Sequence, residues 1–64
     1  MRIELSYDEA ESVRDLLQER IVELDKEINR TDSFAFKHEL QRLDRTLERV
    51  LGQISAALES STRS

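Results

Sequence analysis

Between Phe36 and Leu58 the apolar residues recur in alternating steps of four and three: Phe36, Leu40, Leu43, Leu47, Val50, Ile54 and Ala57. This is heptad spacing, which places all seven on one face of a helix and requires another helix laid along that face. Leu51 and Leu58 widen the seam. The pattern predicts a helix over residues 34–59, ~37 Å long at ~1.5 Å per residue. Gly52 interrupts it on the side away from the seam, at a cost of ~1 kcal/mol relative to Ala.

A second helix is signalled upstream. Ser6-Tyr7-Asp8-Glu9 is a capping box, in which the Ser6 hydroxyl accepts from the Glu9 amide and the Glu9 carboxylate accepts from the Ser6 amide. Leu5 and Ala10 flank it as a hydrophobic staple, and Asp8 and Glu9 put negative charge at the positive end of the helix dipole. From there Ala10, Val13, Leu17, Ile21, Leu24 and Ile28 form one narrow stripe at ~100° per residue. Leu16 and Val22 fall off that stripe on different sides. They are either single exposed apolar residues or contacts for a further helix.

The periodicity breaks at Asn29-Arg30-Thr31-Asp32-Ser33, residue types that cap helices and form turns. Helix 1 is therefore expected over 6–30 and the turn over 31–33, a link short enough to force antiparallel neighbours. Phe36 is expected near Ile28 at the closed end, with Phe34 pointing elsewhere. Residues 1–5 read as a short extended arm and residues 60–64 as a frayed polar tail. The whole is one all-α domain, an antiparallel two-helix hairpin.

A 64-residue chain without cysteine has neither disulfides nor thiolate metal sites to support a small core. Two hairpins packed face to face would enclose both apolar stripes, so a homodimeric four-helix bundle is expected. Its seam would comprise Val13, Leu17, Ile21, Leu24, Ile28, Phe36, Leu40, Leu43, Leu47, Leu51, Ile54 and Leu58. The N-terminal residues lack the apolar core of a signal peptide and no run approaches ~20 apolar residues, so a cytoplasmic protein with no membrane span is expected.

Chemistry is poorly represented. Glu19, Glu23 and Glu27 read as a solvated acidic face rather than paired carboxylates for acid–base chemistry. A di-metal carboxylate bundle needs inward Glu-x-x-His pairs, but the only histidine, His38, follows Ala35 by three, and no seam position carries an acid. Ser6, Ser33 and Ser55 have cap or surface roles, and there is no Gly-rich phosphate loop. The expectation is a protein without catalytic activity, metal or cofactor.

Charge is unevenly spread. Residues 6–31 carry eight acids and four bases, whereas 32–64 carry five of each, within an overall charge of −4. On helix 2, His38, Arg42, Arg45 and Arg49 step by four, three and four along a ridge opposite the seam. Two such ridges on a hairpin dimer are the architecture with which the plasmid repressor-of-primer type of regulator grips paired RNA loops. Asp44 and Glu48 dilute the ridge, and local pairs such as Arg45 with Glu48 would neutralise it. The leading expectation is accordingly a homodimeric protein-interaction module presenting Phe34, the 29–33 turn, or a groove at Leu16 or Val22. A small RNA- or DNA-binding regulator is the alternative.

The sequence Glu27-Ile28-Asn29-Arg30-Thr31-Asp32-Ser33, followed by Phe36-Lys37 and Glu39-Leu40, resembles a group of small uncharacterised bacterial helical-hairpin proteins. Those proteins share an acidic first helix, a Thr-Asp-Ser turn, an aromatic followed by a base, and a leucine-rich second helix. The likeness spans about residues 3 to 58. It implies a fold and a bacterial origin and carries no site residues, the turn itself being explained by capping.

Overall fold

The structure, a computed structural model, describes residues 1–61. Two helices, α1 (Tyr7–Arg30) and α2 (Phe34–Ser61), pack against each other as a hairpin. Its extents are 47 × 22 × 15 Å. Residues 1–5 have no regular structure and lead into the Ser6 cap. No helix among the described residues is long and apolar enough to cross a membrane.

The ends of α1 follow from its caps. The Ser6 amide donates to Glu9 Oε1 at 2.8 Å and the Glu9 amide donates to Ser6 Oγ at 3.1 Å, which completes the capping box. Both bonds lower the Glu9 pKa below its ordinary value of 4.5, the backbone bond contributing most. At the other end Thr31 leaves helical geometry at φ −84°, ψ 122°. Its amide donates to Ile28 O at 3.4 Å and its hydroxyl to Glu27 O at 2.6 Å, which occupies carbonyls the helix leaves open. Ser33 begins α2, its oxygens accepting from the Phe36 and Lys37 amides. Helix α2 runs two residues beyond the expected end at 59, so 60 and 61 of the expected tail are helical; 62–64 lie outside the described residues.

The core is thin. Leu24, Ile28 and Leu40 form its buried cluster with Leu47 packed against it, and Leu58 is buried toward the open end. Val13, Leu17, Ile21, Leu51 and Ile54 are half-buried along the same contact. The four other residues of the heptad are exposed: Phe36 at 56%, Leu43 at 42%, Val50 at 36%, and Ala57. Phe36, expected near Ile28 at the closed end, keeps more than half of its surface exposed.

The reason is rotational. In the α2 heptad, Leu40, Leu47 and Ile54 occupy one seam line, and Phe36, Leu43, Val50 and Ala57 the other. Helix α1 covers the first line together with its neighbours Lys37, Asp44, Leu51 and Leu58, all buried or half-buried. Turning that edge toward α1 turns the second line away. The expectation that no seam position carries an acid is corrected at the same point, because Asp44 lies on the covered edge and is only 9% exposed.

Candidate functional site

Three surface features stand out on the hairpin: the uncovered line of α2, the groove beside the N-terminal arm, and the basic ridge.

The uncovered line repeats every seven residues and is poor in charge. Phe36, Leu43, Val50 and Ala57 alternate along it with Glu39, Thr46 and Gln53, so one residue in seven is ionisable where 38% of the chain is charged. All seven are exposed. Asp25 and Asp44 face each other on one side of the helix contact, and the helical phase of each element puts Leu16, 65% exposed, on the opposite side with Leu43 and Val50. Val22, 54% exposed, points to the back of α1. On the α1 flank beside Leu16, Arg20 bridges Glu23 at 3.3 Å and Glu27 at 3.4 Å, an exposed network worth little to stability.

At the open end the arm and α2 border an apolar groove of about 470 Å³. Met1, Ile3 and Leu5 form one wall, Val50, Ile54 and Ala57 the other, and Ala10 lines it beside Leu5. Residues 1–5 thus lie over the end of the uncovered line, held by the Ser6 cap.

The ridge residues are brought together. His38, Arg42, Arg45 and Arg49, with Thr46, line one open, shallow groove of about 360 Å³. The expected Arg45–Glu48 pair is not formed. Arg45 Nε instead donates to Gln41 O at 3.4 Å, whereas Arg2, Arg14 and Arg20 each pair with a nearby acid. A pair would place Glu48 near the guanidinium, but Arg45 folds back along its own helix.

Sequence reasoning missed one polar contact, that of Asp25 with Asp44 across the hairpin. When protonated, Asp25 donates a hydrogen bond to Asp44; this bond first, then desolvation and the Asp44 charge, raises the Asp25 pKa above 3.8. Asp44 Oδ1 is buried without a hydrogen-bond partner. The available signal was the seven-residue step from Lys37 to Asp44 to Leu51. No group of three or more His, Cys, Asp or Glu side chains suited to a metal occurs among the described residues.

Comparison with protein-family models, with curated proteins and with solved structures returned no match for this chain. The functional reading accordingly rests on these surfaces.

Proposed function

We propose that this chain is a homodimeric, non-enzymatic helical module that acts by binding another protein. The observation that carries the reading is the uncovered heptad line: Phe36, Leu43 and Val50 are 56%, 42% and 36% exposed although their spacing is that of a helix–helix seam. A seam with one edge covered by α1 and the other open is half of a bundle. Among the described residues the buried apolar side chains are Leu24, Ile28, Leu40 and Leu58, a small core for a chain of this length. Dimerisation enlarges it. Phe34, 86% exposed beside the 31–33 turn, is then left as the apolar anchor for a partner protein.

Sedimentation equilibrium at micromolar concentration tests the dimer: twice the chain mass is expected, and a folded monomer refutes it. Affinity capture tests the partner: a protein retained by the wild type and lost with Phe34→Ala supports the module, and equal retention by both removes Phe34 from the reading.

A second reading has an observation of its own. The four ridge side chains converge on one groove with Arg45 unpaired to Glu48, which leaves cationic surface suited to phosphates. On this reading the dimer is a shape-reading RNA or DNA regulator. Salt-sensitive retardation of structured RNA or duplex DNA at low ionic strength supports it, and no retardation removes it. The protein's net charge of −4 places this reading second.

A further inference from the structure

We infer that the groove between the N-terminal arm and α2 is a socket for Phe36 of a second copy, so that two hairpins join through antiparallel α2 helices with each arm clasping the other copy's Phe36. The inference rests on the homodimer reading and specifies its geometry.

A twofold dimer pairs the same patch with itself, so the patch must be self-complementary. The uncovered line meets that condition in one register. With Thr46 near the twofold axis, antiparallel pairing sets Leu43 opposite Val50 and Phe36 opposite Ala57, and all four apolar positions are matched; a slip of one heptad either way leaves unmatched residues at both ends. The pairing also joins the largest residue of the line to the smallest. Ala57 belongs to the α2 wall of the groove whose other wall is Met1, Ile3 and Leu5. Phe36, 56% exposed, is thus the projection and the arm groove the recess, ~32 Å apart on one helix at ~1.5 Å per residue. A twofold axis midway brings both pairs together.

Surface area agrees. The chain exposes 5324 Å², against about 4,200 Å² for a compact monomer of its mass. The excess is comparable to the roughly 800 Å² per partner of a standard specific interface. The alternative twofold, with α1 of one copy over α2 of the other, would set the open apolar line against the Arg20, Glu23 and Glu27 flank of α1. That arrangement buries ionised groups against Phe36, Leu43 and Val50, and desolvating them outweighs any surface ion pair gained.

The chain has no cysteine, so single cysteines report the geometry directly. Thr46→Cys is expected to oxidise to a disulfide-linked dimer, and Phe36→Cys is not, its two copies lying far apart. Phe36→Ala and Ile3→Ala are each expected to weaken dimerisation about tenfold or more, with helicity retained because both side chains are exposed in the hairpin. Lys26→Ala, exposed on the far face of α1, is the control and leaves the dimer constant unchanged. A wild-type chain of monomer mass overturns the homodimer reading and this inference with it. A dimer that fails to link through position 46, links through position 36, or is indifferent to Phe36→Ala and Ile3→Ala overturns the socket alone.

Discussion

Asp25 of α1 and Asp44 of α2 meet across the hairpin carboxyl to carboxyl, and the buried Asp44 Oδ1 has no hydrogen-bond partner. The raised Asp25 pKa makes this helix contact pH-dependent. Because the Asp25 pKa is raised above its ordinary 3.8, the stability gained from its protonated, bonded form is fully present below that value. It is lost as pH rises through the raised value. Glu9 acts in the opposite sense: its pKa is depressed below 4.5, so the capping box contributes above 4.5 and loses its contribution as pH falls through the depressed value. Thermal melts of the wild type and Asp25→Asn at fixed protein concentration separate the two. The wild type is expected to gain on the variant as pH is lowered from about 7 toward about 3; parallel pH profiles would show that the pair is not coupled.

Replacing the buried Asp44 side chain by an apolar one is expected to stabilise the hairpin. Asp44→Leu removes a buried carboxyl whose Oδ1 has no hydrogen-bond partner and extends the apolar edge toward Leu51, a change of about 1–3 kcal/mol. In a domain this small each kcal/mol moves Tm by roughly 4–8 °C. A lower Tm than the wild type would show that Asp44 has a favourable partner in solution.

Gly52 lies inside α2, and a methyl group added there meets nothing within 4 Å. Gly52→Ala is therefore expected to raise stability by about 0.5–1 kcal/mol through the lower backbone entropy of the unfolded chain. Urea titration measures it. A loss of stability would place another backbone against this face in the assembled protein.

Replacing Ser6 by Ala removes the acceptor for the Glu9 amide and is expected to cost about 1 kcal/mol. The arm leaves the helix at this residue, so the same variant is expected to loosen the groove wall formed by Ile3 and Leu5. Its dimer constant, read beside its unfolding free energy, checks both effects.

Much of this fold is legible in the sequence because its signals are local. The capping box at Ser6 and Glu9, the α1 stripe from Ala10 to Ile28 and the turn at 31–33 each depend on a few neighbouring residues, and the structure has each of them, with Asn29 and Arg30 still in the last turn of α1. What spacing leaves open is which edge of a wide seam faces which neighbour. Phe36, Leu43 and Val50 carry the same periodic signal as Leu40, Leu47 and Ile54. The relative rotation of two helices is decided by the stripe on α1 and by the three-residue link, both distant from α2 in sequence. Leu51 and Leu58 mark the edge that α1 covers; Asp44, midway between Lys37 and Leu51 on that edge, is read as surface because an acid ordinarily is. The ridge from His38 to Arg49 is visible as spacing, whereas Arg45 choosing Gln41 O over Glu48 depends on a side-chain rotamer.

The account turns on whether the open line of α2 is a contact between two copies, and sedimentation equilibrium of the wild type beside Leu43→Glu tests that most directly. Leu43 is 42% exposed in the hairpin, so the substitution leaves the Leu24, Ile28 and Leu40 core in place while putting a charge at the centre of the proposed interface. The account predicts twice the 7.5 kDa chain mass for the wild type and a helical species of single chain mass for the variant. A wild type that sediments as a folded monomer, or a variant that keeps the dimer mass, would contradict it.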